Sequence, residues 1–240
     1  MSAMALQIRP DANVYPFNAA VAGNCPKETN SAGKAGNPVG RLVSYPLPPP
    51  VRVEPDRQAP ITITPDFVAD ILSPYKAHAR YLKTAEIASF REKASDDKGK
   101  GALAKGVGRF AIPESCYIDD TGHFNAVEFN ICFNQLAYVM FAKCIEAGIL
   151  QKMRCESIDV MSLPEYKRRQ LPSMVIVSIE SRYFKQLDSR DFRGELTIDK
   201  ISSVGSVWFF FTSISFSDAE GVKAKGAVVL AYSPTFTPAR

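Results

Sequence analysis

The chain has 240 residues, of which 46% are hydrophobic, and a formal net charge of +4. This hydrophobic content predicts a folded core, and the length allows one or two domains. The basic excess is mild and is not gathered in a dense stripe, so we expect no nucleic-acid partner. Five scattered cysteines without a CxxC pair argue against a disulfide framework and against a zinc site.

The sequence indicates neither a signal peptide nor a membrane span. No cationic start is followed by an apolar run. The apolar stretch around residues 124–141 contains Glu128 and several amides, which a spanning helix disfavours. We therefore expect a cytoplasmic protein, and no motif predicts a metal or a cofactor.

Residues 1–60 are poor in fold signals and hold ten of the 17 prolines. Such a composition buries too little apolar surface to offset the entropy of ordering. We expect a largely disordered, proline-rich arm over residues 1–60 and a folded domain over 61–240. A proline-motif ligand for a partner domain is the alternative reading of the arm.

The folded part is predicted to begin with a short helix. Thr64 is a typical N-cap, Pro65 suits the first turn, and Pro74 closes the segment. Strands are predicted over residues 80–91 and 103–112, with a charged loop over 93–100 between them.

The stretch from Pro113 to Tyr138 organises the rest of the chain. It is predicted to open as a strand over 115–118 and to turn at 119–122. A helix then runs from about Phe124 to Gly148, a good residue to follow a helix end. Because this helix is apolar nearly all round, we expect it in the centre of the fold.

Four further strands are predicted over residues 173–184, 192–203, 207–216 and 222–232, after a short helix from Ser162 to Gln170. Short turns between the later strands favour antiparallel neighbours. The expected fold class is α+β of the hot-dog type, in which an antiparallel sheet wraps around a long central helix.

Polar residues interrupt the central helix and suggest a site, because buried polar groups need partners. Asn125, Glu128 and Gln135 share one helical face, and Asn130 and Asn134 share roughly the opposite one. The free N–H groups at the helix start are predicted to bind a thioester oxygen, and the buried Glu128 is a candidate base.

Structural roles are the alternatives for these residues, and for the amides the alternative is a bridge from the helix to the sheet or to a second subunit. Glu128 is as readily explained by a bond to an arginine or a backbone N–H, and His123 by a capping or packing role. Tyr117 is explained equally well as a core residue. The basic run over residues 167–169 is explained by a solvated face, with carrier-protein docking as the alternative.

Three runs of the sequence, 110–118, 121–128 and 132–138, together resemble the FcoT-like thioesterase family. The matching residues are Phe-Ala-Ile-x-Glu-Ser-x-Tyr-Ile, Thr-Gly-His-Phe-Asn-Ala-Val-Glu and Cys-Phe-Asn-Gln-Leu-Ala-Tyr, where x marks positions outside the match. Further matches are Pro74-Tyr75, Arg80-Tyr81-Leu82 and Ser181-Arg182. The resemblance covers about residues 61–234.

The resemblance implies a hot-dog fold, assembled as a homodimer or a hexamer built from three dimers. It implies an acyl thioester substrate carried by acyl carrier protein or coenzyme A. The implied reaction adds the amine of glycine to the β-carbon of a trans-2-enoyl thioester. Hydrolysis of the thioester then releases a 3-(carboxymethylamino) fatty acid.

The resemblance also implies site residues, namely Tyr75, Tyr117, Asn125 and Asn134. We further predict that His123 or Glu128 accepts a proton from the glycine ammonium, that Arg80 or Arg182 pairs with its carboxylate, and that Gly122 and Phe124 contact substrate.

Three other functions stay open at this point. The first is hydrolysis of a medium- or long-chain acyl thioester without glycine addition. The second is a hot-dog enoyl hydratase. Such enzymes carry an Asp-x-Asn-Pro-x-His signature, and residues 120–123 of this chain do not reproduce it. The third is a non-catalytic protein that binds acyl thioesters.

Overall fold

The computed structural model describes residues 60–91, 101–119, 123–153 and 161–233. The predicted arm up to residue 59 and the predicted loop over 93–100 lie outside these ranges. So do Asp120, Thr121 and Gly122 of the predicted turn.

Within the described ranges the chain forms four α-helices. They are α1 (Pro65–Ile71), α2 (Ala126–Glu146), α3 (Ile149–Lys152) and α4 (Leu163–Ser173). The predicted starts of α1 and α4 are confirmed, because the Thr64 hydroxyl accepts the N–H of Phe67 and the Ser162 hydroxyl accepts that of Glu165. Helix α4 continues past the predicted end at Gln170.

The described strands form one antiparallel sheet in the order β1-β2-β3-β5-β6-β7-β4. They are β1 (Ile61–Ile63), β2 (Leu82–Phe90), β3 (Ala104–Phe110), β4 (Met174–Tyr183), β5 (Phe192–Val204), β6 (Val207–Asp218) and β7 (Gly221–Tyr232). Two pre-helix strands and four post-helix strands are confirmed. Strand β4 pairs with β7 at the edge of the sheet, although β5 follows it in the chain.

Helix α2 lies in the core, as predicted for the hot-dog arrangement. Phe129, Phe133 and Leu136 are completely buried. Glycines in the sheet allow the helix to approach closely. A Cβ on Gly108 would lie 3.1 Å from a methyl carbon of Leu136, and a Cβ on Gly226 would lie 2.6 Å from the Phe129 ring.

The strand predicted over residues 115–118 is wrong. This segment is irregular, and the N–H of Cys116 donates to the hydroxyl of Tyr81 at 2.8 Å instead of to a neighbouring strand. Pro113 lacks an N–H and interrupts the ladder after β3. Both sides of β3 are already paired, with β2 and β5, so the segment has no free edge there to join.

Candidate functional site

The start of α2 is closed by a capping box. Asn125 is extended, and its side-chain Oδ1 accepts the N–H of Val127 at 2.8 Å and that of Glu128 at 3.5 Å. The Glu128 carboxylate accepts the N–H of Asn125 in return, at 3.2 Å. The prediction that these helix N–H groups bind a thioester oxygen is therefore wrong for Val127 and Glu128, because Asn125 already uses them.

The same cap places a phenol beside the helix start. The side-chain Nδ2 of Asn125 donates to the hydroxyl oxygen of Tyr117 at 2.8 Å. Tyr117 is 47% exposed and is not the core residue that the alternative reading expected. Since its oxygen accepts from Asn125, its own proton is directed elsewhere and is suited to a bound oxygen atom.

Glu128 has the structural role that the sequence left open. It is buried, and its two oxygens accept from the Ser115 hydroxyl at 3.0 Å and from the Asn125 N–H. Glu128 is nevertheless one of the residues that line the entrance cleft described next.

An open cleft of about 700 Å³, the entrance cleft, lies at the start of α2. His123 and Phe124 precede the helix and line it together with Glu128. The remaining lining residues come from the segment before the helix, the loop after β4 and the β6–β7 hairpin; they are Ile112, Pro113, Glu114, Ser115, Asp119, Gln186, Leu187, Asp188, Ser189, Arg190, Asp218, Glu220 and Lys223.

Carboxylates outnumber cations among these lining residues, and the cations are paired. Arg190 bonds Asp188 at 3.0 Å and lowers the pKa of that carboxyl below its ordinary value. Lys223 bonds Glu220 at 2.6 Å and lies 3.5 Å from Asp218. The entrance cleft is therefore suited to a group that carries positive charge.

Phe124 contributes to the core as well as to the cleft. It is buried, and its ring contacts those of Phe192 and Phe216 with centroids 5.2 and 5.0 Å apart. Its predicted contact with substrate is therefore limited to the part of the residue that faces the cleft. Gly122, the other predicted contact, lies outside the described residues.

A second polar group lies farther along α2. Asn134 donates from Nδ2 to Asn130 Oδ1 at 3.3 Å, on the helical face that was predicted. The ring of Tyr75 lies 6.5 Å from that of Tyr138, one turn beyond Asn134. Burial raises the pKa of both phenols, so both are neutral proton donors at ordinary pH.

One chain does not bring these two polar groups together. Asn134 follows Asn125 by nine positions, which is about 13 Å along a helix and half a turn around it. Tyr117 accompanies the first asparagine and Tyr75 lies beside the turn that follows the second. The four site residues implied by the resemblance thus lie at two separate places along α2, and only Tyr117 and Asn125 are bonded to each other.

The two candidate arginines already have partners. Arg80 donates from Nε to the carbonyl of Tyr75 at 3.0 Å and from Nη2 to that of Ser73 at 3.1 Å. Arg182 bonds the exposed Glu180 at 2.9 Å. Either arginine would have to exchange existing bonds in order to bind a carboxylate through two nitrogens.

The sequence assigned no role to Tyr81, and for Gln135 it gave a helical face and, as an alternative, a bridge from the helix to the sheet, which is confirmed by its bond to the first residue of β2. Both are completely buried: Gln135 bonds the backbone of Ala79, Tyr81 and Leu82, and the hydroxyl of Tyr81 bonds the segment that leads to Tyr117. The available signal was a polar side chain at a position facing the core, because such a residue needs nearby partners.

The basic run over residues 167–169 forms ion pairs at the surface. Lys167 bonds Asp70, and both Arg168 and Arg169 pair with Glu165, which supports a solvated face. In the described part of the chain, no cluster of side chains suits a metal ion, and no helix combines the length and apolarity needed to cross a membrane.

An antiparallel sheet around a buried helix defines a hot-dog protein. The start of that helix carries the Tyr117–Asn125 pair, and Glu128 of its first turn lines the entrance cleft, although neither Tyr117 nor Asn125 is itself a lining residue. The model of the FcoT-like thioesterase domain matches residues 70–232. The chain belongs to this family of enzymes.

Two relatives named (2E)-enoyl-ACP glycyltransferase cover most of this domain. The protein from Streptomyces coeruleorubidus is 32% identical over 171 residues, which is 69% of this chain and 94% of the relative. The protein from Mycobacterium marinum is 36% identical over 173 residues, 70% of this chain and 86% of the relative. A solved mutant thioesterase from Pseudomonas aeruginosa overlaps 60% of this chain and 81% of its own at 11% identity, with a TM-score of 0.32, too low to add to the fold assignment.

Proposed function

We propose that this enzyme adds the amino group of glycine to the β-carbon of a trans-2-enoyl thioester and then hydrolyses the thioester. The product is a 3-(carboxymethylamino) fatty acid. The observation that carries the proposal is the Tyr117–Asn125 pair, open to ligand in a chain whose relatives are named (2E)-enoyl-ACP glycyltransferases. Those names favour acyl carrier protein over coenzyme A as the thioester carrier.

In the addition step, the glycine nitrogen forms a bond to the β-carbon and the electrons of the double bond move onto the thioester oxygen. Tyr117 donates its O–H to that oxygen, and Asn125 holds the phenol in place. A neutral amine is needed, so His123 or Glu128 takes the ammonium proton and returns a proton to the α-carbon. Donors aimed at a developing oxyanion typically contribute about 10²–10³ in kcat.

In the hydrolysis step, water attacks the thioester carbon and the carbon–sulfur bond breaks. The oxygen that carried the enolate charge now carries the charge of the tetrahedral intermediate, so the same phenol serves both steps. The proton from water passes to the departing thiolate. Both reactions therefore need one oxygen-binding group, which is why a single site suffices.

Glycine recognition is supported by the charges around the entrance cleft. The excess of carboxylates attracts the ammonium group. Of the two candidates for the glycine carboxylate, Arg182 is favoured, because it bonds the exposed side chain of Glu180, whereas Arg80 is held by two backbone carbonyls.

We infer a homodimer, or a hexamer of three dimers, in which both polar groups act. The edge strand β4 exposes a row of apolar side chains, with Val175, Val177 and Ile179 exposed by 51, 47 and 44%. An unpaired apolar edge favours pairing with a second copy. In such a dimer, Tyr117 and Asn125 of one protomer would meet Tyr75 and Asn134 of its partner.

We also infer a cytoplasmic location. Cys116, Cys132 and Cys144 are free thiols in the described part of the chain. Reduced thiols are typical of the cytosol.

The test is to incubate the enzyme with a trans-2-enoyl thioester on acyl carrier protein, with and without glycine, and to detect the products by mass. We expect the glycine adduct as a free acid, and a tenfold or greater loss in Tyr117→Phe. A saturated thioester of equal length is the control. Free enoic acid formed at the same rate without glycine would replace the proposal by simple thioester hydrolysis. Binding without turnover would indicate a non-catalytic protein.

A further inference from the structure

Gln135 connects α2 to the segment that enters β2. It is completely buried, and its Oε1 accepts the N–H groups of Tyr81 and Leu82, both at 2.9 Å. Its Nε2 donates to the carbonyl of Ala79 at 2.6 Å. Three bonds from one buried amide fix residues 79–82 against the helix, since breaking any of them would leave a buried polar group unsatisfied.

Tyr81, whose backbone Gln135 holds, is in turn hydrogen-bonded to the segment that leads to Tyr117. Its carbonyl accepts the N–H of Ala111 at 3.0 Å, and its hydroxyl accepts the N–H of Cys116 at 2.8 Å. The ring is completely buried, so the hydroxyl has one defined position. Both ends of an irregular segment are thereby tied to one residue, and the next residue after Cys116 is the phenol of the proposed site.

Arg80 is hydrogen-bonded to the loop that carries Tyr75, the other candidate tyrosine. Its guanidinium bonds the carbonyls of Ser73 and Tyr75, on the loop that follows α1. A planar group that donates to two carbonyls restricts both the distance and the orientation of that loop. Arg80 and Tyr81 are adjacent in the chain, and the amide of Gln135 holds them from both sides through Ala79 and Leu82.

We propose that Gln135, Arg80 and Tyr81 form a positioning unit that sets Tyr75 and Tyr117, both on irregular segments, relative to the asparagines of α2. This inference rests on the proposed function, in which those tyrosines act. The three members are positioning residues, because each acts through backbone groups and none is required to touch substrate. An error of about 1 Å in the placement of a reacting group costs about 10²-fold in rate, so such a unit affects catalysis directly.

The first experiment is a double-mutant cycle between Tyr81→Phe and Tyr117→Phe. Tyr81→Phe keeps the ring and removes only the oxygen that accepts from Cys116. For Tyr81→Phe we expect kcat to fall at least about tenfold, with KM for the thioester nearly unchanged. The double variant should have a kcat no lower than that of Tyr117→Phe alone. The matched control is Thr212→Val, which removes another completely buried hydroxyl, bonded to the Val228 carbonyl at 2.7 Å, and should keep kcat.

The second experiment uses Arg80→Met, which keeps the apolar stem and removes the donors. As a positioning residue, Arg80 should affect kcat and leave KM for glycine unchanged. Its effect should also vanish in a Tyr75→Phe background. If Arg80 instead binds the glycine carboxylate, KM for glycine rises and kcat at saturating glycine is retained, which overturns its place in the unit.

The outcomes separate this inference from the proposed function. Independent, multiplicative losses in the Tyr81–Tyr117 cycle, or an equal loss in Thr212→Val, would overturn the positioning role and leave the proposed reaction standing. Wild-type turnover in Tyr117→Phe would overturn both. If Tyr81→Phe does not fold, the Arg80→Met and Tyr75→Phe cycle decides the question by the same criterion.

Discussion

Replacing Asn125 by aspartate separates the two kinds of bond that this side chain makes. Its Oδ1 caps α2 by accepting from Val127 and Glu128, whereas its Nδ2 donates to Tyr117. Aspartate keeps the capping oxygen and adds a negative charge at the positive end of the helix dipole. It removes the donor, and the phenol then donates its proton to the carboxylate instead of to a thioester oxygen.

The expected magnitudes follow from those bonds. Loss of the aligned phenol proton should reduce turnover at least tenfold, which corresponds to about 1.4 kcal/mol in the barrier. Asn125→Ala also removes the cap, which costs about 1 kcal/mol of stability. For a domain of this size that lowers Tm by about 2–4 °C. Asn125→Asp is therefore expected to lose activity while keeping its Tm.

The assay measures the rate of adduct formation from the enoyl thioester and glycine, beside thermal melts of the same preparations. Gln151→Glu on α3 makes the same amide-to-acid change at an exposed position and is the charge control. If Asn125→Asp turns over like the wild type while Asn125→Ala loses rate and Tm together, Asn125 serves only as a helix cap. The role assigned to the Tyr117–Asn125 pair would then be refuted.

Three other changes test the packing, the buried charge and the assembly. In Gly226→Ala the new Cβ would lie 2.4 Å from the backbone oxygen of Glu180, so β4 and β7 must shift. We expect the free energy of unfolding to fall by about 1–3 kcal/mol, measured by thermal melts. An unchanged Tm would contradict this packing. Burial raises the pKa of Asp199, so its ionised form costs stability at neutral pH and that cost is removed as pH falls through the raised pKa. Asp199→Asn should therefore raise Tm at pH 7 but not near pH 4, which is about the ordinary pKa of aspartate. An equal rise in Tm at both pH values would contradict the raised pKa of Asp199. Val177→Lys with Ile179→Lys should yield monomers in analytical ultracentrifugation and abolish turnover; an intact dimer would place the interface elsewhere.

Local signals in the sequence predicted most of the elements. Thr64 and Pro65 define the start of α1 through their own backbone and side-chain chemistry. Gly148 has a φ of +65°, the left-handed conformation expected after a helix end. Turn residues over 204–206 and 218–221 separate β5, β6 and β7, so those strands were predicted almost to their ends. Each signal depends on residues close together in the chain.

The error at residues 115–118 has a long-range cause. Ser115 to Ile118 include residue types that favour strands, but a strand also needs a partner with free backbone groups. Such pairing is decided by elements far away in sequence. Here β2 and β5 occupy both edges of β3, and the N–H of Cys116 bonds a side chain instead.

The capping box at the start of α2 was readable from the sequence, because Asn125 is followed three residues later by Glu128. That pattern indicates that the first N–H groups of the helix are bonded within the chain. The prediction of an oxyanion site there overlooked this competition. What the pattern does not contain is the bond to Tyr117, since the phenol reaches the cap from a separate segment.

The sequence by itself determined α1, α2 and α4, the later strands, the family resemblance and the residue types of the site, whereas α3 was not predicted. Only the tertiary structure decided that β4 lies at an edge beside β7, that Tyr117 meets Asn125, and that Tyr75 lies beside a different turn of the same helix. The physical reason is the range of the interactions. Caps, turns and alternation act over a few residues, whereas edge pairing and the contacts of Gln135 across more than fifty residues depend on how the whole chain packs.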